Sequence, residues 1–320
     1  MLTDVFLSAI LPIVALAGVG YLLGRFRTVD VGGLNTVTIY VLAPALVFHS
    51  LSTTPVGGVT ALKIAAGIGA YLLVMGVVAA LVHRATDATT PTFGALFLVS
   101  AFPNAGNYGI PLSDFAFGPV GRSTAVLYLS IQAIYMYTVG AYVASLGGEG
   151  ADARAAVTKV LRLPLVYAVL AAFLLVRLDA VPPVDGTLMR TLELTGNATI
   201  PVMLLLLGIQ LANADYAGAL SRVGVANVLK LGVAPVVGLG LALLLGFEDA
   251  VVARTFVLEI ATPAAITPLM LVIEFRDPDS TPTGGITDAE YISSVILTST
   301  LLSVPVLTVL IVVLESGVVL

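Results

Sequence analysis

Two asparagines and a tyrosine lie between prolines in one apolar stretch, and these side chains are suited to binding a ligand. The stretch is AFPNAGNYGIPLSDFAFGP, residues 101–119, and its amides belong to Asn104 and Asn107. Amide groups donate and accept hydrogen bonds, and Tyr108 adds a hydroxyl. A carboxylate could bind such groups without a buried cation. The alternative is a structural helix with a proline kink, but two prolines, two glycines and two asparagines within nine positions exceed what a kink needs.

The backbone of this stretch predicts a broken membrane helix. Pro103 and Pro111 lack the amide hydrogen that a helix uses, and Gly106 and Gly109 loosen the chain between them. The surrounding apolar run, about residues 93–117, is long enough to cross a bilayer. Unwound backbone survives at membrane depth only where it faces protein or a water-filled cavity. Broken spans of this kind form the substrate sites of secondary transporters.

Composition indicates an all-α polytopic membrane protein. Hydrophobic residues make up 58% of the 320 residues and charged residues 10%, against about 25% charged in soluble domains. At about 20 residues per span, the length allows about ten transmembrane helices. The predicted spans are about 4–25, 33–52, 60–83, 92–118, 122–146, 158–178, 187–212, 223–246, 250–274 and 290–315.

Several function classes are excluded by what the sequence lacks. There is no cysteine, and the two histidines, His49 and His83, are too few for a histidine-based metal centre. No HExxH motif or P-loop is present, which argues against a metalloprotease, ATP-driven transport and an enzyme in general. A net charge of -5 argues against a nucleic-acid partner. We expect no cofactor, and a lipid bilayer as the surroundings.

The basic residues predict the orientation in the cell membrane. With the N-terminus outside, nine Lys and Arg residues fall on the cytoplasmic side and five outside. The even number of spans then places the C-terminus outside as well. The first apolar run has no basic stretch before it, so we expect a retained span rather than a signal peptide. Lys230 is counted on the cytoplasmic side, where its side chain is expected to snorkel to the membrane surface.

The two halves of the chain resemble each other. The segment LPIVALAGVGYLLGR begins at Leu11, and LPLVYAVLAAFLLVR begins at Leu163. Pro44 corresponds to Pro201, and Pro103 to Pro263, at a similar offset. A chance match between apolar segments is the alternative. A duplication gives two repeats of five spans, residues 1–146 and 158–320, and the odd number makes them inverted.

The second half carries its own broken span. It reads EIATPAAITPLMLVIEF, with Pro263 and Pro268 each preceded by a threonine, Thr262 and Thr267. These hydroxyls can replace backbone partners lost at the prolines, or they can bind a ligand. Both halves therefore carry a span with two prolines as their fourth helix.

These motifs, in this order, resemble the auxin efflux carrier family over nearly the whole chain. The matching segments are YVLAPALVFHSL in span 2, GNYGIPL in span 4, ATIPVMLLLLGIQLA in span 7, ATPAAITPLMLV in span 9 and VILTSTLLSVPVL in span 10. The family includes plant auxin carriers and prokaryotic members proposed to move malonate and other small organic acids. The resemblance implies a fold similar to bile acid:sodium symporters, with spans 4 and 9 crossing. It also implies a scaffold domain of spans 1, 2, 6 and 7, a transport domain of spans 3–5 and 8–10, and a homodimer.

Carried over by position, Pro103 and Pro263 mark the crossing, and Asn104 and Asn107 contact the substrate. Plant members have Asn-Pro-Asn-Thr-Tyr where this chain has FPNAG, residues 102–106, so auxin itself is not the expected substrate. Plant members also place an acidic residue four positions before a basic one at the start of span 3. The matching pair here is Val59 and Lys63, without the carboxylate.

Three titratable side chains are candidates for ion coupling. Burying a charge in a membrane is costly, so the ionisable residues that occur there are usually functional. Asp114 lies seven residues past Asn107, on the same helical face, and Glu259 lies one turn before Pro263. The alternatives are a position near the outer water boundary for Asp114, and capping or pairing with Arg254 near the outer end for Glu259. His49 can titrate or simply pack. Asn197 can line the cavity or bond backbone freed by Pro201.

The sequence thus predicts a secondary transporter of a small organic anion, with Asn104, Asn107, Tyr108, Thr262 and the two helix N-termini at the crossing forming the site. Coupling to protons or sodium is expected. The alternative is a cation/proton antiporter or a sodium-coupled symporter of similar fold, which would use Asp114 and Glu259 as a carboxylate pair.

Overall fold

The computed structural model describes Leu7 and residues 11–54, 57–85, 92–145, 164–212, 223–275 and 287–320, and apart from loops these form helices with no β-strand. Eleven helices are found in these ranges. They are α1 (Leu11–Phe26), α2 (Val31–Thr53), α3 (Gly58–Ala85), α4 (Phe93–Ala101), α5 (Ala105–Ser145), α6 (Pro164–Arg177), α7 (Thr187–Ala212), α8 (Gly224–Leu245), α9 (Ala250–Ala261), α10 (Thr267–Phe275) and α11 (Asp288–Glu315).

The helices are those of a multi-pass membrane protein, as the composition predicted. Six described helices are long and apolar enough to cross a bilayer, namely α2, α3, α5, α7, α8 and α11. Helices α1 and α6 are apolar but shorter. A helix satisfies its backbone groups internally, which suits the hydrocarbon of a bilayer and agrees with the helical character of the described residues. The count of ten spans stays a prediction.

Helix α5 contains 41 residues, where the sequence predicted the end of one span and the whole of the next. Its direction changes at Gly118, whose backbone angles are φ 64° and ψ -153°. Glycine adopts a positive φ without a steric penalty, and Pro119 follows directly. The expected loop is therefore a sharp kink, which brings the residues on its two sides close together.

One group of helices consists of α1, α2, α6 and α7. Helices α1 and α7 pack closely because glycines lie at their contact. A Cβ atom at Gly20 would collide with the backbone of Leu205, and Gly24 lies over Ile209. Since both residue numbers rise together, the two helices run parallel. Helix α6 packs in turn against α2.

The remaining helices form a second group, which contains both broken spans. Helix α3 packs against α4 and α8, α9 packs against α5, and α11 contacts α4, α9 and α10. The two groups meet largely through α5. At one such contact the Ser123 hydroxyl donates to the Ser50 carbonyl of α2 at 3.0 Å.

Candidate functional site

Both predicted breaks are present, and they lie against each other. Helix α4 ends at Ala101 and α5 begins at Ala105. Helix α9 ends at Ala261 and α10 begins at Thr267. The prolines account for these interruptions, because neither Pro103 nor Pro263 can donate the amide hydrogen that a continuous helix requires.

The breaks are joined by two backbone hydrogen bonds, which we call the crossing. The amide of Asn104 donates to the Pro263 carbonyl at 2.7 Å, and the amide of Ala265 donates to the Phe102 carbonyl at 3.0 Å. The pairing is antiparallel and places Pro103 opposite Ala264, one residue from the Pro103–Pro263 match in the sequence.

Side chains from α5 and α11 bond two further backbone groups of the crossing. The Gln132 amide donates to the Pro103 carbonyl at 2.9 Å. The amide of Ala264 donates to the Ser299 hydroxyl at 3.1 Å. Because buried backbone groups are costly when unbonded, these contacts explain how an unwound crossing persists inside the protein.

The carbonyl of Ile260, in the last turn of α9, accepts a hydrogen bond from Lys230 at 2.8 Å. Lys230 is fully buried, with 0% exposure. The prediction that this side chain snorkels to the cytoplasmic surface is therefore wrong. It lies in a π-helical segment of α8, Leu229–Val233, a distortion frequent at functional sites.

Two of the predicted substrate residues flank the start of α5. Asn104 is 7% exposed, and its amide nitrogen has no hydrogen-bond partner among the described residues. Asn107 is half-buried. The π-helical turn Ala105–Gly109 begins directly after Asn104. A buried amide donor without a partner is rare in folded proteins and marks a place for a ligand or water.

Tyr108 and Thr262 are both committed to contacts within the protein. The Tyr108 hydroxyl lies 3.1 Å from the Ser303 hydroxyl of α11. The Thr262 hydroxyl donates to the carbonyl of Glu259 at 2.8 Å. Thr262 thus replaces a backbone partner, which was the structural alternative for this residue, although its oxygen keeps accepting capacity.

Glu259 is fully buried beside the crossing. The Ser113 hydroxyl of α5 donates to one carboxylate oxygen at 2.7 Å, and the other oxygen, Oε2, has no partner among the described residues. Tyr128 lies within electrostatic range, and its buried hydroxyl is likewise unbonded in the described part of the chain. The expected alternative, pairing with Arg254, is wrong, because Arg254 donates to the Leu320 carbonyl at 2.8 Å.

Asp114 and Asn197 belong to a second cluster, centred on Arg122. The Arg122 guanidinium lies 3.5 Å from the Asp114 carboxylate across the Gly118 kink, and it donates to the Asn197 side chain of α7 at 3.2 Å. His49 of α2 lies within electrostatic range of Arg122. The sequence did not identify Arg122 as part of a site. Its position just after Gly118-Pro119 was the available signal.

We expect Arg122→Gln and Asn197→Ala to be coupled in stability. In a double-mutant cycle of thermal unfolding, the interaction should be about 0.5–1 kcal/mol, since the groups are partly exposed. The control cycle combines Arg122→Gln with Asn35→Ala, because Asn35 lies near the N-terminal end of α2 and makes no hydrogen bond to Arg122. Additive effects in the first cycle would contradict this contact between the two helix groups.

The described residues contain no group of three or more His, Cys, Asp or Glu side chains placed to hold a metal ion. The crossing instead combines an unbonded amide, a carboxylate with one free oxygen, and the first turns of α5 and α10. The amide hydrogens of a helix's first turn have no partner within the helix and favour anions.

Comparison with known proteins identifies the family of the chain. Residues 5–311 match the family model Mem_trans, described as "Membrane transport protein". Among curated proteins, the chain is 27% identical over 322 residues to a Rhizobium meliloti (strain 1021) protein named "Putative malonate transporter", covering 96% of this chain and 95% of the relative. The chain therefore belongs to the Mem_trans family of membrane transport proteins, the auxin efflux carrier family, and it is not an enzyme.

Proposed function

We propose that this protein is a secondary active transporter of a small carboxylate, with the substrate at the crossing. The observation that carries the proposal is the buried, unbonded amide nitrogen of Asn104 at the start of α5. This group can donate two hydrogen bonds. It lies where the helix dipole favours a negative charge. A carboxylate fits both features, with Asn107 as a second donor.

Short carboxylates such as malonate are the proposed substrate class. The name of the Rhizobium relative includes malonate. The close packing around Asn104 favours a compact ligand, and Arg122 is held by Asp114 and Asn197 rather than directed at the crossing. The buried Lys230 is likewise engaged, by the Ile260 carbonyl. We therefore assign the attraction for the carboxylate to helix ends and neutral amides.

We propose Glu259 as the coupling group. A fully buried carboxylate with one unbonded oxygen can hold a proton or a sodium ion, while the Ser113 hydroxyl bonds the other oxygen. Asp114 is less suited to this role, because it is paired with Arg122. The second candidate function, cation/proton antiport or sodium-coupled symport, depends on this same carboxylate.

Alternating access would result from movement of the two helix groups against each other. We propose α1, α2, α6 and α7 as the scaffold and the other helices as the moving transport domain, with two inverted repeats. The swapped contacts, α1 on α7 and α6 on α2, are those that a two-fold axis between inverted repeats would produce. An N-out, C-out topology in the cell membrane and a homodimer remain part of this proposal.

Transport in proteoliposomes tests the proposal. Labelled malonate, other short dicarboxylates and an indole acid would each be supplied with a proton gradient, a sodium gradient or a membrane potential. We expect saturable malonate uptake that Asn104→Ala reduces at least about tenfold, as expected when a buried charge-assisted hydrogen bond is lost. Asn35→Ala, remote from the crossing, should leave uptake unchanged.

Two outcomes would contradict the proposal. Uptake that survives in both Asn104→Ala and Asn107→Ala would remove the substrate from the crossing. Proton movement that depends on an added cation, without flux of any carboxylate, would favour the antiporter instead.

A further inference from the structure

The end of α4 is bonded by a tyrosine from a neighbouring helix. In a continuous helix the Ser100 carbonyl would accept from the amide of Asn104, four residues later. That amide is instead bonded to Pro263 across the crossing. The Tyr71 hydroxyl of α3 donates to the Ser100 carbonyl at 3.0 Å, and Tyr71 is fully buried.

The end of α9 is bonded in the same manner, but by a lysine. The helical partner of the Ile260 carbonyl would be the amide of Ala264, which is bonded to Ser299. Lys230 of α8 donates to the Ile260 carbonyl at 2.8 Å. An ammonium group at this position also matches the negative end of the α9 dipole.

The two contacts occupy equivalent places. Ser100 and Ile260 are each the second-to-last residue of the helix before a break. Helix α3 packs against α4 as α8 packs against α9, and α3 and α8 also contact each other. At each break, one of the carbonyls that lose a helical partner receives one long donor from the adjacent helix.

We propose that Tyr71 and Lys230 are paired positioning residues, which hold the two breaks open by each bonding one of the carbonyls that the broken helix leaves without a helical partner. Lys230 also fixes the backbone next to Glu259 and so orients that carboxylate. The consequence for transport rests on the proposed function, whereas the consequence for the backbone of the crossing does not.

Hydrogen exchange of the purified protein tests the proposal without any substrate. The probes are the amides of Asn104 and Ala265, which are bonded across the crossing. In Tyr71→Phe and Lys230→Met a buried carbonyl loses its donor, so we expect these amides to exchange about tenfold faster. In Lys230→Arg, which keeps a donor, the same amides should exchange more slowly than in Lys230→Met.

Two controls remove the same kind of hydrogen bond, from a tyrosine or a lysine to a backbone carbonyl, away from the breaks. The Tyr135 hydroxyl donates to the Ala65 carbonyl at 3.0 Å, and the Lys63 amine donates to the Gly246 carbonyl at 2.6 Å. Tyr135→Phe and Lys63→Met should leave exchange at the crossing unchanged. The proposal would be overturned if the crossing amides exchanged equally fast in the control variants. It would also be overturned if their exchange were unchanged both in Tyr71→Phe and in a folded Lys230 variant that lacks the donor.

Uptake measurements add the functional readout. If malonate is transported, we expect Lys230→Met to raise the KM for malonate, and Lys230→Arg to restore it largely. If wild-type protein transports no carboxylate while the crossing amides still respond in Tyr71→Phe, the substrate assignment fails and the positioning role stands. Unchanged KM in a folded Lys230→Met variant would contradict a role of Lys230 in transport.

Discussion

Glu259→Gln is expected to reduce gradient-driven accumulation of malonate in proteoliposomes to the background of empty vesicles. Glutamine has nearly the same size, and its carbonyl oxygen can still accept the hydrogen bond from Ser113. It cannot take up a proton or carry the negative charge that binds a cation. Exchange of labelled for unlabelled malonate should persist, because exchange requires substrate binding and domain movement but no net use of the ion gradient.

The matched control is Glu315→Gln, which makes the same change at an exposed position at the end of α11. It should accumulate malonate as the wild type does. Full accumulation by Glu259→Gln under both proton and sodium gradients would show that this carboxylate is not the coupling group. The same measurement on Asp114→Asn would then test Asp114 of α5 as the coupling group.

The breaks in the two spans could be predicted from sequence because their cause is local. Pro103 and Pro263 remove specific amide hydrogens, and no tertiary contact can restore them. The same holds for the apolar character of the spans. The loop expected near residue 120 was less well predicted, because a single glycine, Gly118, with a positive φ replaces it.

The partners of the charged groups could not be predicted, because they come from distant parts of the chain. Ser113 and Glu259 are separated by 146 residues in sequence. Helical spacing placed Glu259 on the face of Pro263, but the helix that it meets depends on packing. Lys230 looked like a terminal lysine, and only the position of α9 beside α8 shows why it is buried.

Arg122 illustrates the same limit in the opposite sense. The sequence analysis counted it among the five basic residues on the outer side and predicted no partner for it, whereas the structure places it beside Asp114 and Asn197. Residues that a local pattern marks, such as the proposed substrate residue Asn104, were therefore easier to place than the ion pair and hydrogen bonds of Arg122. The crossing depends on proline chemistry, and its electrostatics depend on tertiary structure.

Gly109→Ala is expected to destabilise the protein by about 1–3 kcal/mol, as overpacking a core does, and to impair transport. A Cβ atom at Gly109 would meet the Glu259 carboxylate, 2.7 Å from Cδ and 2.8 Å from Oε1, and in still closer contact with Oε2. The carboxylate would have to leave its contact with Ser113. Thermal unfolding in detergent and malonate uptake measure the two effects.

The neighbouring Gly106 provides the control, because it lies in the same π-helical turn. A Cβ atom there would lie 3.6 and 3.7 Å from the Leu129 methyl groups, which is ordinary van der Waals contact. Gly106→Ala should therefore unfold at or above the wild-type temperature. Adding Glu259→Ala to Gly109→Ala should recover stability, since it removes the group that collides, but not gradient-driven uptake. If Gly109→Ala and Gly106→Ala behaved alike, the close approach of α5 to Glu259 would be refuted.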